Sequence, residues 1–294
     1  MKQANYMGEA DGKIGIKFWG VRGSTPCANT ENMHYGGNTT CFQVLLPGTN
    51  DYLIIDSGTG IRNLGNEIEN MVKNIKAHIF LTHPHWDHIQ GFPFFKPIYQ
   101  SGNKISVHLP LQKDGNCRKI LSGHMIKTYF PVTPEMLAAD IDYVTQEFGR
   151  KAYSGFDVEF MLANHPTNTA VYKIHAGGRE IIFCPDNELQ PVADRANTAF
   201  YEQLKKFFNG ADVLIHDGQY SRESYKERKN WGHSAWEEVV EFARKCNIKQ
   251  LYLTHHDPDS DDPYLSEVDH AIRETYVQDF DRIQLARESE FIHI

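Results

Sequence analysis

The chain has 294 residues, 40% of them apolar and 23% charged, enough for one large domain or two small ones around a sizeable core. That balance excludes a disordered chain, a collagen-like chain and a disulfide miniprotein. Thirty Lys and Arg against 38 Asp and Glu leave a net charge of −8, without the electrostatic footprint expected of a protein that grips long nucleic acid.

The first fifteen residues contain no apolar stretch of the kind a secretory signal needs, and no apolar run approaches the ~20 residues of a membrane span. The five cysteines, Cys27, Cys41, Cys117, Cys184 and Cys246, are odd in number and show no CxxC spacing. They read as free thiols in a reducing, cytoplasmic setting. No linker, repeat or low-complexity segment divides the chain, so a single domain over residues 1–294 is expected.

In chain order, the first clear element is the apolar run from Tyr52 to Asp56, which stops at Ser57-Gly-Thr-Gly60. It reads as a buried strand. Ile61, Leu64, Ile68 and Met71 then recur at helical spacing. A second strand runs from Ala77 to His83. Residues 91–156 fit the rhythm poorly and read as an insertion that shapes the mouth of a site. Within it lie an alternating strand at Lys104–Leu109 and a short start at Thr133-Pro-Glu. Strands follow at 180–186, 211–218 and 250–255. Between them, Ala196, Phe200, Leu204, Phe207 and Phe208 form a helical face closed by Gly210 at a C′ position. Ser234-Ala-Trp-Glu237 reads as a capping box, ahead of Trp236, Val239, Val240 and Ala243 at helical spacing. Strands alternating with helices imply a layered α/β fold, whose ligand residues sit on loops just beyond the strand ends.

The densest chemical signal is His83-Pro-His85-Trp-Asp87-His88, directly after a strand. Four metal-capable side chains fall within six residues. A turn there can point His83 and His85 one way and Asp87 and His88 toward a second centre. Neutral imidazole with carboxylate oxygen suits Zn²⁺, and Mn²⁺ or Fe²⁺ also tolerate such a set.

This HxHxDH pattern resembles that of the metallo-β-lactamase-fold hydrolases, and the resemblance extends over most of the chain. It implies a four-layered αββα sandwich and two divalent metal ions. His83, His85 and His165 would hold one ion. Asp87, His88 and His255 would hold the other, with Asp186 bridging and His256 as the alternative to His255. Asp56, by the same resemblance, supports the metal-binding loop through a ligand imidazole or backbone amides.

The C-terminal half, with His216-Asp217-Gly, Gly232-His233-Ser234 and Leu-Thr-His255, is similar to the phosphodiesterase branch of that superfamily. That branch includes transfer-RNA 3′-processing endonucleases, PhnP-like enzymes and cyclic-nucleotide phosphodiesterases. The opening Phe18-Trp-Gly-Val-Arg22-Gly-Ser24 and Tyr35-Gly-Gly-Asn38-Thr39 resembles the start of the same branch. The resemblance implies hydrolysis of a small phosphodiester, a cyclic nucleotide being the first candidate. Hydroxide generated between the metals, with Asp87 among the catalytic groups, would attack phosphorus, and His233 would protonate the leaving oxygen. A helix N-terminus disfavours imidazolium, so His233 needs an acidic partner, for which Asp217 is the candidate. Arg22, Asn38, Thr39 and Ser57 are candidates for phosphate or sugar contacts. A transfer-RNA 3′ endonuclease is the main alternative. It is disfavoured by the acidic charge and by the lack of a long Gly- and Lys-rich arm. A lactonase, thioesterase or β-lactamase-type hydrolase, and a non-enzyme keeping metals for stability, are further alternatives. The resemblance also implies a homodimer, with Phe92, Phe94, Phe95 and Tyr99 available for a subunit contact, a substrate wall or core.

Overall fold

Short runs of Ile, Val, Leu, Phe and Tyr that are apolar at every position make strands buried on both faces, and such strands need cover on each side. The computed structural model, which describes residues 13–49, 51–69, 74–191 and 198–294, supplies that cover with two sheets packed face to face and helices outside each. In chain order the elements are β1 (Gly15–Gly20), β2 (Cys41–Leu45), β3 (Asp51–Ile55), α1 (Ile61–Glu69), β4 (Lys76–Phe80), α2 (Trp86–Ile89) and β5 (Lys104–Pro110). Next come α3 (Cys117–His124), β6 (Asp140–Gln146), β7 (Lys151–Tyr153), β8 (Phe156–Leu162), β9 (Ala170–Ala176), β10 (Arg179–Cys184) and α4 (Thr198–Phe208). The chain ends with β11 (Val213–Asp217), α5 (Arg222–Tyr225), α6 (Trp236–Lys245), β12 (Gln250–Thr254), α7 (Asp262–Tyr276), β13 (Arg282–Leu285) and β14 (Phe291–His293).

The first sheet has the order β14-β1-β2-β3-β4-β5-β6 and the second β13-β12-β11-β10-β9-β8-β7. Each is antiparallel on one side and parallel on the other, the parallel runs being β3 to β6 and β10 to β13. Period-two alternation sorts the side chains. Leu53 and Ile55 of β3 and Ile181 and Phe183 of β10 meet in the core between the sheets. Tyr52 and Ile54 face outward under Ile61, Leu64 and Ile68 of α1 and Leu121 of α3. Ile182 and Cys184 face Leu204 and Phe208 of α4 and Val239, Val240 and Ala243 of α6. The result is the expected αββα sandwich. All five cysteines are free and buried. Among the described residues no helix is long and apolar enough to cross a membrane.

The five apolar runs read as strands are β3, β4, β10, β11 and β12, and the alternating strand read at Lys104–Leu109 is β5. Met71 and Ala196, read as parts of helical faces, lie outside the described residues. Residues 91–156 do more than border a site: β5 and β6 extend the parallel part of the first sheet, and β7 is an edge of the second. Within that stretch Phe92 and Phe95 are core, whereas Phe94 is 52% exposed. The capping box at Ser234 does not form. The cap position of α6 is Ala235, with no side-chain cap bond. Ser234 Oγ instead donates to the Asn187 carbonyl at 2.5 Å and accepts from Leu189 N–H at 2.9 Å. A buried hydroxyl offers one donor and few acceptor sites, and the neighbouring loop has taken them.

Candidate metal centre

Parallel strands that end together bring the residues just beyond them together. His83 follows β4, Asp186 follows β10, Asp217 closes β11 and His255 follows β12. His85 is the cap residue of α2, and Asp87 and His88 lie in its single turn. Among the described residues the structure gathers two donor sets that share no residue, His83, His85, His165 and Asp186, and Asp87, His88 and His255, with a third group, Asp186, His233 and His255, overlapping both. Within each set the donor atoms lie within 4.8 Å of one another.

Asp186 stands between the sets. Its Oδ2 is 3.6 Å from His83 Nε2 and 3.7 Å from His165 Nε2. Its Oδ1 is 3.1 Å from His88 Nε2 and 3.4 Å from His255 Nε2. Asp87 Oδ2 lies 3.0 Å from His255 Nε2 and 3.3 Å from His88 Nε2. His165 Nε2 and His85 Nδ1 are 3.2 Å apart.

Outer contacts fix the rings. Asp56 accepts from Thr82 N–H at 2.7 Å, and its Oδ2 lies 2.9 Å from His88 Nδ1. The Thr82 hydroxyl is 3.1 Å from His83 Nδ1, and His165 Nδ1 is 2.9 Å from the Gly232 carbonyl. In each case Nδ1 is occupied, which leaves Nε2 for the centre. Ser24 N–H donates to Asp87 Oδ2 at 2.8 Å. His255 has φ +59°, and a Cβ at Gly23 would come within 2.3 Å of its Nδ1, so the backbone there can approach only as glycine.

The electrostatics divide along the same line. Burial, reinforced by His88, holds the His83 pKa well below normal. Burial holds His85 down and His165 at about 4. These three are neutral imidazoles, the form a metal takes. In the second set burial also opposes charge, but carboxylates outweigh it. Asp186, Asp87 and Asp56 pull His88 well up, and Asp186 and Asp87 raise His255. Burial works against ionised Asp186 and Asp87, yet the surrounding imidazoles hold both carboxyls well below the usual range. Three acids around His88 call for positive charge.

The residues fit a pair of cations on a further count. His83 Nε2, His88 Nε2 and Asp186 Oδ1 are buried and make no aligned hydrogen bond, although the last two are 3.1 Å apart. Orphaned buried polar atoms are costly, and three converging on one point fit a bound ion.

His233 sits beside the centre. Its ring stacks on His255 at 4.8 Å between centroids, and its Nδ1 is 3.6 Å from Asp217 Oδ2 and 3.8 Å from Asp186 Oδ2. Asp217 accepts from Asn187 N–H and Ser234 N–H, so it locks the turn that presents His233. His233, Ser24, Tyr220, Arg228 and Trp231 line an open cleft of about 410 Å³.

Of the two adjacent histidines, His255 enters the cluster. His256 faces away, with Nε2 2.8 Å from the Ala286 carbonyl and its pKa pulled down by burial to about 3. The four residues read as substrate contacts are placed otherwise. Arg22 is fully buried and donates to the carbonyls of Gly36, Asp257 and Ser260. Asn38 binds Glu288, Thr39 exchanges hydrogen bonds with Thr59, and Ser57 donates to the His88 carbonyl. Each ties segments of the chain together: Arg22 and Ser57 through backbone carbonyls, Asn38 through the Glu288 carboxylate and Thr39 through Thr59. Sequence reasoning missed Thr82, whose hydroxyl links Asp56 to His83.

Comparison with known proteins gives the family and the fold. The family model described as a beta-lactamase superfamily domain matches residues 52–256, and the chain belongs to that superfamily. It is similar to a Ribonuclease Z of Haloarcula marismortui, 23% identical over 82% of this chain and 85% of the relative. Among solved structures it resembles the metallo-beta-lactamase fold protein YhfI from Bacillus subtilis, with TM-score 0.68, 15% identity and coverage of 96% of this chain and 99% of that one. It also resembles a diphosphatase from the PhnP family, with TM-score 0.66, 17% identity and coverage of 96% and 98%.

Proposed function

We propose that this member of the beta-lactamase superfamily is a metal-dependent phosphodiesterase. The observation that carries the reading is the split of the two Asp186 oxygens between two donor sets, with His233 at the edge of both. His83, His85 and His165 would hold one cation and Asp87, His88 and His255 the other, with Asp186 shared. Zn²⁺ is the first choice for such donors. When bound, a cation pair of this kind activates water for attack and neutralises non-bridging phosphate oxygens.

The chain's own residues supply the rest. Asp56, Thr82 and the Gly232 carbonyl hold the ligand rings with Nε2 inward. The cleft beside His233 receives the leaving group. His233 Nδ1 is turned to Asp217 and Asp186, so Nε2 is the atom that gives the proton to the departing oxygen. Asp217, 3.6 Å from Nδ1, positions that imidazole through the turn it holds.

Within this class, a small phosphodiester such as a cyclic nucleotide is supported by the modest volume of the cleft and the net charge of −8. Cleavage of precursor transfer RNA is the second reading, supported by the relatives named Ribonuclease Z. A panel separates them: bis(p-nitrophenyl) phosphate, 2′,3′- and 3′,5′-cyclic nucleotides, dinucleotides, precursor transfer RNA, a lactone and a β-lactam. Turnover of small diesters without cutting of precursor transfer RNA supports the first reading, and cutting of the RNA supports the second. Turnover of the lactone alone refutes both. His233→Ala is expected to lose ~10²- to 10⁴-fold in rate on diesters while keeping its metal. A full rate in that variant removes His233 from the mechanism.

A further inference from the structure

Glu188 stands two residues after Asp186 and is buried, outside both donor sets. Its carboxylate receives three hydrogens. Oε1 accepts from the Tyr225 hydroxyl at 2.6 Å and from Asn230 N–H at 2.9 Å. Oε2 accepts from Gly232 N–H at 3.0 Å. A buried acid is tolerated when fully bonded in this way. The two amides flank Trp231, so residues 225–232 are strapped down along their length.

The strap leads to the centre through one residue. The Gly232 amide is held by Glu188, and the Gly232 carbonyl lies 2.9 Å from His165 Nδ1. Gly232 has φ +89°, and a Cβ there would come within 2.3 Å of the same His165 Nδ1. Both the conformation and the close approach require glycine. The strap also carries Arg228 and Trp231 into the wall of the cleft, and Trp231 is 59% exposed there. It then runs directly into His233.

We infer that Glu188 is a positioning residue that couples the His83/His85/His165 cation site to the leaving-group cleft. Through Gly232 it sets the His165 ring with Nε2 inward, and through Asn230 and Gly232 it holds the cleft wall. The inference rests on the two-cation reading above. Glutamine cannot replace the carboxylate, because its one acceptor oxygen serves either the Oε1 pair or Gly232, and its amide N–H₂ then faces a donor.

The test uses the full chain as wild type, Glu188→Gln and Tyr225→Phe. Each is stripped of metal by a chelator and titrated with Zn²⁺ against a competing indicator, and kinetics follow on bis(p-nitrophenyl) phosphate. Wild type is expected to bind two Zn²⁺. Glu188→Gln should bind one normally and the other ~10- to 100-fold more weakly, the scale of lost outer-contact support. Its KM should rise by roughly 3- to 10-fold through loss of orientation, and excess Zn²⁺ should restore kcat without restoring KM. Tyr225→Phe keeps the Gly232 bond and should keep both zinc affinities. Gly232→Ala strains the same link from its other end by placing a methyl 2.3 Å from His165 Nδ1 and should also bind one zinc more weakly, so that its retention of both affinities is the refuting result available if Glu188→Gln does not fold. If Glu188→Gln retains both zinc affinities and the wild-type KM, even at lower thermal stability, Glu188 serves folding alone and the inference is overturned. If Gly232→Ala folds and keeps both affinities, it is overturned equally. A wild type that binds no zinc refutes the two-cation reading itself, and the inference falls with it.

Discussion

Asp56→Asn tests how the residue after β3, bonded to Thr82 and facing His88 in the loop after β4, tunes the second cation site. Asp56 is fully buried at φ +61°, a conformation asparagine accepts readily, so the substitution preserves shape and backbone. What changes is hydrogen bonding. The carboxylate now accepts from Thr82 N–H and from the Thr82 hydroxyl, and it faces His88 Nδ1 at 2.9 Å. Asparagine can keep its oxygen on Thr82 N–H, but its N–H₂ then points at His88 Nδ1. The imidazole answers by moving its proton to Nε2, the atom that faces Asp87 and Asp186. A protonated Nε2 cannot bind a metal. Loss of such outer support costs ~10- to 100-fold in metal affinity. That corresponds to about 1.4–2.8 kcal/mol. Competition with a zinc indicator is the assay. The weaker step should belong to the Asp87/His88/His255 set, with a smaller loss at the His83/His85/His165 set, which shares Asp186 and is reached from Asp56 through the Thr82 hydroxyl. Unchanged affinity at both steps, or loss confined to the first set, refutes the reasoning.

Three further outcomes are expected. His255→Ala should bind one zinc fewer than wild type, whereas His256→Ala should keep the full complement and lose ~1–3 kcal/mol of stability in urea unfolding, because the bond to the Ala286 carbonyl and the ring contact with Tyr35 are cut away from the cluster. Gly23→Ala should weaken zinc binding at the second set, read by the same competition assay, since the new methyl would fall 2.3 Å from His255 Nδ1. Acid should destabilise the fold through His108, whose pKa is pulled by burial and by His78 from 6.5 down to about 3. For a base neutral in the fold, stability is fully present above the unfolded pKa and declines as pH falls from 6.5 toward about 3. His108→Phe should flatten that part of the urea-unfolding profile by up to ~1.4 kcal/mol per pH unit, and an unchanged slope would exclude His108.

How far the sequence could be read depends on where each residue's partners come from. His83, His85, Asp87 and His88 announce themselves because they are dense and follow a strand. Asp186 and His255 are legible because apolar strands stop at them. The two sheets were visible in part: β3, β4, β10, β11 and β12 are continuous apolar runs. β6 was hidden because Asp140–Gln146 is polar and half-buried. The Ser234 hydroxyl could not be assigned from its own neighbourhood, since its partners Asn187 and Leu189 arrive from 45 or more residues away. Arg22 illustrates the same limit. A lone arginine near a Gly-rich loop suggests an anion, yet its donors go to carbonyls at 36, 257 and 260. Glu188 shows it once more, because its meaning depends on a segment some forty residues downstream.

The claim on which the rest depends is that seven side chains hold two cations with Asp186 between them. Anomalous diffraction from crystals grown with zinc tests it most directly. Two peaks are predicted, one bounded by His83, His85 and His165, the other by Asp87, His88 and His255, each reached by one oxygen of Asp186. A single peak, an empty cluster at saturating zinc, or zinc bound elsewhere on the chain would contradict the account.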